Sequence, residues 1–507
     1  MSMPQAPVQP PRRRFRSKTP EGGNSSSGSG WGPITRHQIS GFFFQIRRIA
    51  NAVALGDTRM LADPLRRQGR ALGVGLLLGL VACGGAFVYS VLRPAGVPAG
   101  NSILSDRATG ARYVKVNDTL HPVLNLASAR LIVGKPDNPS PVKSDELDKM
   151  QHGPTLGIYN APDRMVQNPS RDARWIVCDA VAGPDVGTTV IAGDPAAGPG
   201  HAASMSESSA VLATSDGGVT TWLIWGGKRS LINLNDPAVT ASIGINVDTP
   251  GPRPINRQLL NLIPESPALI VPFIGNAGDP PRFPWPKEGP APVVGSVVTD
   301  RVNEQLNYFA VTAEGLQPIP QTLAAMLRAQ DAHGLVEPPA LTPDQVAKAP
   351  TARVIPVENY PAKALKISDP GVEPVTCGQW VKLDGAPTSS LTLLVGQSLP
   401  IHPEDHPLAL TAAGVGTATR VVMPTGSGYY VQVTGQEPKS GTKESSFWVS
   451  DLGWRYGIEV PQKNEAQSQD PEASLGRTGP ALPIPWSVLN LLAPGPTLSK
   501  TDALVEH

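Results

Sequence analysis

The sequence has little of several things. Of its 507 residues only 5% are aromatic, 17% are charged and three are cysteine. Gly and Pro instead supply 106 residues, about a fifth of the chain. That balance argues against long helices as the main architecture and favours short elements joined by many turns. Catalytic motifs are missing too. No GxSxG and no HExxH occurs. The nearest approach to a phosphate-binding loop is Gly226-Gly227-Lys228-Arg229. It has Arg where Ser or Thr must hold magnesium, and Trp222 where the first glycine belongs. The segment reads better as a hairpin turn. Eight histidines are scattered, and only His402-Pro-Glu-Asp-His406 groups ligand-type residues. Its flanking prolines, Pro403 and Pro407, rule out a helical i, i+4 pair, so a solvated acidic loop is expected and no metal site is assigned. No catalytic residue and no cofactor is expected.

What is present is a charge asymmetry. Residues 1–70 carry 12 Lys and Arg against three acidic residues, residues 71–92 carry no charge, and residues 93–507 carry 31 basic against 39 acidic residues. The uncharged run, ALGVGLLLGLVACGGAFVYSVL, would span about 33 Å as a helix, enough to cross a bilayer core. Asp63 and Pro64 suit its start, and Arg93-Pro94 its end. A cleaved signal peptide does not fit, because roughly 70 residues precede the run. Leu80-Val81-Ala82-Cys83 resembles a lipobox, but the apolar run continues past it. Arg66, Arg67 and Arg70 crowd the N-terminal edge, so the positive-inside rule predicts a cytoplasmic N-terminus and an exported C-terminal region in a single-pass inner-membrane protein. Ala71, Gly75, Gly79 and Cys83 fall four apart on one face, where small residues let a second helix approach; Gly75 and Gly79 are the candidate packing positions.

The chain before the span divides in two. Residues 1–33, rich in Pro, Arg, Ser and Gly, cannot bury a core and read as a disordered basic tail. Arg12, Arg13, Arg14 and Arg16 are explained by topology and membrane attraction without invoking nucleic acid. Residues 34–70 hold an amphipathic helix and a juxtamembrane segment. Ile39, Phe42, Phe43 and Ile46 recur at helical spacing with Arg36, Arg47 and Arg48 between them, and Gly56 ends the pattern. Such a face docks either on the anionic leaflet or on a cytoplasmic partner.

In residues 93–507, Cys178 and Cys377 form an even pair in an oxidising compartment, which points to one disulfide, with two separate buried thiols as the alternative. Internal repetition is stronger evidence of architecture. Tyr113-VKVNDTLHPVLN, Trp222-LIWGGKRSLIN, Tyr308-FAVTAEGLQPIP and Phe447-WVSDLGWRYGIEV each read as a β-hairpin with Asp or Gly near its turn. Downstream, Val142-KSDELDK aligns without gaps on Leu341-TPDQVAK, and Ile255-NRQLLNLIPESPAL on Ile484-PWSVLNLLAPGPTL. A hairpin plus a small helix, used four times, is therefore expected. The hairpins start 109, 86 and 139 residues apart, too irregularly for a solenoid. Longer inserts around 160–215 and 370–435, with runs such as Ser390-LTLLV and Thr419-RVVM, suit a central β domain.

These features resemble the EccB family of type VII (ESX) secretion systems along nearly the whole chain. Thr35-RHQISG, Asp57-TRMLADPLRRQ, Leu120-HPVLNLASARLIVG, Trp175-IVCD, Val375-TC and Pro496-TLSKTDAL carry the likeness. Asp163-RMVQN, Phe447-WVSD and Pro483-IPWSVL resemble the EccB of the third ESX system, linked to iron and zinc acquisition. The resemblance implies an α+β protein: one transmembrane helix and an elongated periplasmic region of four repeats around a β-rich core, stabilised by a disulfide. It implies a structural subunit beside EccC, EccD and EccE-type partners, self-associating through its periplasmic region. Members are often called ATPases, which makes nucleotide hydrolysis the alternative. A cell-wall-binding module is the third reading, by analogy with other hairpin repeats.

Overall fold

The computed structural model describes residues 36–56, 64–92, 100–289, 291–410, 416–460 and 470–507. The basic tail at 1–33, the helix cap Asp63 and the stop Arg93-Pro94 lie outside the described residues. The chain divides into two compact units, residues 1–95 and 96–507.

In the first unit a helix runs Arg36–Leu55. It closes at Gly56, whose φ is 66° and whose N–H donates to the Ala52 carbonyl at 3.1 Å. Glycine takes that left-handed conformation without a Cβ clash. A second helix, Pro64–Leu92, has 29 residues, about 43 Å at the α-helical rise. Among the described residues it is the one helix long and apolar enough to cross a membrane, through Ala71–Tyr89. It starts seven residues before the uncharged run, because Arg66, Arg67 and Arg70 are good helix formers.

The second unit holds four copies of one module. In the first copy, strands Ile103–Asp106, Arg112–Val116 and Thr119–Pro122 form an antiparallel meander. Helix Leu126–Val133 follows, then strand Ser140–Val142, parallel to the first strand. A second helix, Ser144–Leu147, leads to His152, which bridges in parallel to Leu120 on the third strand. The second copy repeats this with strands Ser209–Thr214, Thr221–Trp225 and Lys228–Ile232, helix Pro237–Ser242, strand Arg253–Pro254, helix Arg257–Leu262 and strand Glu265–Leu269. The third spans Val297–Val302 to the bridge Leu316–Thr351, and the fourth Tyr429–Thr434 to Ala493–Pro494, with the same pairings. The hairpin and the helix read from sequence are thus two parts of a larger module, with a first helix and a short parallel strand between them. The inserts expected to form only the central domain also supply the first strands of the second and fourth copies, Ser209–Thr214 and Tyr429–Thr434.

Local chemistry accounts for the turns. Asn117 and Asp118 (φ 48° and 63°) and Gly226 and Gly227 (φ 51° and 74°) occupy two-residue hairpin turns. Two consecutive left-handed residues match the twist of paired strands, and Asn, Asp and Gly are the residues that tolerate them. Asn125 caps its helix by accepting from Ser128 N–H at 2.9 Å. Thr342 and Gln345 form a reciprocal capping box.

Modules pair out of chain order. The first and fourth share one core, in which Ile103, Ala127 and Leu131 meet Tyr430, Trp448 and Leu475. The second and third share another, through Val239, Ile243, Leu323 and Leu327. Each pair brings first helices together: Leu126–Val133 against Pro471–Leu475, and Pro237–Ser242 against Gln321–Gln330. The second helices separate the copies differently. Arg257–Leu262 and Trp486–Leu489 pack on each other and bury Leu259, Leu260, Leu262, Val488 and Leu489. Ser144–Leu147 buries Leu147 alone, and Pro343–Lys348 buries nothing. This explains why the sequence matched these helices in two families, one charged and one leucine-rich.

A seven-stranded sheet lies between the pairs. Its order is Leu408–Ala409, Arg420–Val422, Gly187–Ala192, Ala173–Ala180, Val375–Lys382, Ser390–Gly396 and Ala203–Ser204. One face puts Trp175, Val177 and Trp380 against Leu259, Leu262 and the fourth module. The other buries Ile176, Cys178, Val375, Cys377 and Leu394. With both faces covered, Ala173–Ala180 is an almost unbroken buried run, without the alternation of a half-exposed strand.

Candidate functional surfaces

Cys178 and Cys377 are opposite each other on neighbouring central strands and are joined by a disulfide spanning 199 residues of sequence. Both are fully buried. The next residue, Asp179, points to the opposite face, where it accepts the Asn256 backbone N–H and a bond from the Thr188 hydroxyl. Asn256 is the N-cap of helix Arg257–Leu262, so a carboxylate of the central sheet holds the start of a repeat helix. Burial pushes the Asp179 carboxyl above its ordinary value, and the two hydrogen bonds oppose that rise. Close by, Arg253 is 2% exposed. It donates to the Glu373 carbonyl at 2.7 Å and Thr376 Oγ1 at 2.9 Å, and to Ser368 O and Oγ at 2.9 and 3.0 Å. Gly378 makes room for this seam, since a Cβ there would lie 3.2 Å from Leu262 Cδ2. Between the first and fourth modules, Arg130 donates to the carbonyls of Asp137 and Leu475 and to Asn138 Oδ1. Sequence reading missed Asp179, Arg253 and Arg130. Each has a partner far away in sequence; a lone charged residue in an apolar run was the only signal for Asp179 and Arg130, and Arg253, set between two prolines, offered none.

The residues singled out by sequence fall elsewhere. Ile39, Phe42, Phe43 and Ile46 lie on helix Arg36–Leu55, Phe42 and Phe43 being 62% and 53% exposed. Phe44 and Ile49 extend that exposed apolar surface. A Cβ at Gly75 or Gly79 would meet nothing within 4 Å. The Gly226–Arg229 segment is the expected hairpin turn, and its cations are engaged. Lys228 Nζ donates to the Glu358 carbonyl at 2.7 Å and sits 4.2 Å from the Trp225 ring centroid. Arg229 stacks on Trp222 and pairs with Glu265 at 3.1 Å. In the His402–His406 loop, the His402 N–H donates to Asp405 Oδ2. Among the described residues no group of three or more His, Cys, Asp or Glu is placed to hold a metal ion.

One membrane-length helix, a separate helix with an exposed apolar face and a four-module body welded by buried polar clamps define a membrane-anchored assembly protein. The family model described as type VII secretion system ESX-1, transport TM domain B, matches residues 31–507. The chain belongs to that family. It is 47% identical over 506 residues to the ESX-3 secretion system ATPase EccB3 of Mycolicibacterium smegmatis, covering 99% of this chain and 96% of the relative. It is 46% identical to the protein of the same name from Mycobacterium tuberculosis, covering 98% and 94%. Among solved structures, the EccB3 dimer from the ESX-3 core complex aligns with a TM-score of 0.71 at 44% identity, covering 80% of this chain and 100% of that one. A chain of an intact ESX-5 inner membrane complex aligns with a TM-score of 0.70 at 34% identity, covering 95% and 97%.

Proposed function

We propose that this chain is a structural subunit of a type VII inner-membrane complex of the ESX-3 kind, supporting protein export across the cell envelope. The observation that carries the reading is similarity over nearly the full length to EccB3 proteins, together with solved relatives that sit in an inner-membrane complex and in a dimer. Its partners are EccC, EccD and EccE-type subunits and further copies of itself, and service to metal acquisition follows from the ESX-3 likeness. Residues 1–70 face the cytoplasm, residues 71–92 span the bilayer and residues 93–507 form the periplasmic body, an orientation supported by the charge asymmetry. Exposed Ile39, Phe42, Phe43 and Ile46 dock on partner or leaflet. Gly75 and Gly79 admit a neighbouring helix.

The test is the native size of the tagged full-length chain after gentle detergent extraction, with its companions identified. A large particle holding a P-loop motor and multi-span subunits is expected. Isolated chains, under conditions that preserve other membrane complexes, would overturn the reading. The word ATPase in the relatives' names favours nucleotide hydrolysis as a second reading. Turnover by the stringently purified chain alone would support it.

A further inference from the structure

Two cavities in the third module share one wall. The first, about 360 Å³, is lined by apolar Phe273, Ile274 and Leu327 and by polar Gln330, Asp331 and His333. The second, about 280 Å³, is lined by Trp285, Ser296 and again His333, with Lys287 and Glu288 at its edge. The first is within the size range of small-ligand pockets and the second is just below it.

The backbone is specialised to hold the dividing imidazole. His333 has φ 49° and Gly295 has φ 96°. A Cβ at position 295 would lie 2.7 Å from His333 Nε2, so the ring rests where only glycine leaves space. Asp331 fixes the other side: its Oδ1 accepts the His333 backbone N–H at 2.6 Å and its Oδ2 lies 3.4 Å from Nδ1. A left-handed histidine carries a conformational cost, and such costs cluster where the surrounding structure holds a side chain for binding. Two further groups are unfinished. Phe273 is 93% exposed, an aromatic ring left in water. Ser296 is buried with no partner for its hydroxyl.

The ligand must offer flat apolar faces to Phe273 and Trp285 and a polar rim to Gln330, Asp331 and His333. A neutral ligand is favoured, since Lys287 and Glu288 offset each other at the second cavity and the Asp331 carboxylate is engaged by the His333 backbone N–H. An added peptide strand is disfavoured, because Val297–Val302, which leaves this site, has a partner on both sides. A sugar ring has C–H faces and a hydroxyl rim, and a chain of them repeats that pattern from cavity to cavity. We propose that the third module carries a groove for a neutral oligosaccharide, with Phe273 and Trp285 as stacking platforms for successive rings and His333 as the partition between them. The groove uses none of the residues named above for docking or helix packing.

The experiment uses the full chain in a detergent without a sugar headgroup, titrated with glucose, maltohexaose, N-acetylglucosamine and its hexamer. Saturable binding of at least one hexasaccharide is expected, about tenfold or more tighter than its monosaccharide because both cavities are filled. Phe273→Ala removes an exposed ring without touching the core and should weaken that binding about fivefold. Gly295→Ala, which displaces the His333 ring, should weaken it further while the unfolding midpoint confirms a folded chain. Absence of saturable binding by either hexasaccharide overturns the proposal. So does binding that is indifferent to both substitutions, or that is competed by a proline-rich peptide as well as by sugar.

Discussion

Replacing Cys178 and Cys377 together by alanine removes the one covalent link across the central sheet. The link closes a loop of 199 residues. In the chain-entropy model a loop of that length restricts the unfolded chain by about 18 cal/mol/K, or about 5 kcal/mol at 25 °C. Alanine is the right replacement, because both sulfurs are fully buried and serine would add an unpaired hydroxyl at each site, roughly 1–3 kcal/mol apiece. With ~2.1 cal/mol/K of unfolding entropy per residue over about 400 residues, the loss corresponds to a Tm about 6 °C lower. The assay is thermal unfolding of parent, double and single variants without reductant. Either single variant should lose nearly as much as the double, since one cysteine alone makes no cross-link. Melting of parent and double variant within about 1 °C of each other would refute the reasoning.

Other perturbations test the polar clamps and the engaged lysine. Arg130→Met withdraws donors from Asp137, Asn138 and Leu475 and should cost about 2–4 kcal/mol in denaturant unfolding, with faster proteolysis at the contact between first and fourth modules. Asp179 has a folded-state pKa raised by burial, so its favourable contribution is complete below the unfolded value near ~4 and is lost as pH rises through the folded value. Asp179→Asn keeps an acceptor for Asn256 and removes the titration; the stability of the parent relative to this variant should fall as pH rises above about 4, and a pH-independent difference would contradict the assignment. Asp216, held down to about 2 by the Thr220 hydroxyl and N–H, acts in the opposite sense: its contribution is present above its unfolded value and is lost as pH falls through the folded one, which Asp216→Asn unfolding curves at acid pH would show. Lys228→Ala should lower stability by about 1 kcal/mol through loss of the Trp225 contact, and any nucleotide turnover by the chain should be unchanged.

The membrane helix and the four hairpins were legible because their signals are local. An uncharged run, a period of two and a two-residue turn each need only neighbouring residues. The first helices were not legible. They run from five residues, Pro471–Leu475, to ten, Gln321–Gln330, so gapless matching between copies fails. Arg253–Pro254 and Ala340–Leu341 are two-residue strands, too short for any periodicity, and exist only through parallel pairing with a distant strand. The partnership of first with fourth module depends on Leu131 meeting Leu475, which no pattern within either segment announces. The groove at His333 was invisible for the same reason: Phe273, Gly295 and His333 come from three separate loops.

The position of Ile103–Asp106 bears on how the body withstands load. Among the described residues it is the first strand after the membrane helix in sequence, and it lies inside its sheet, with Arg112–Val116 on one side and Ser140–Val142 on the other. A pull applied lengthwise along this strand would load the hydrogen bonds on both of its sides together. Its hydrogen bonds must then shear as a group, where an edge hairpin pulled crosswise would unzip one bond at a time. Because Ile103 also lies in the core shared with Tyr430 and Trp448, the pull is divided at once between the first and last modules. A strand paired on both sides in this way cannot be peeled from a sheet edge.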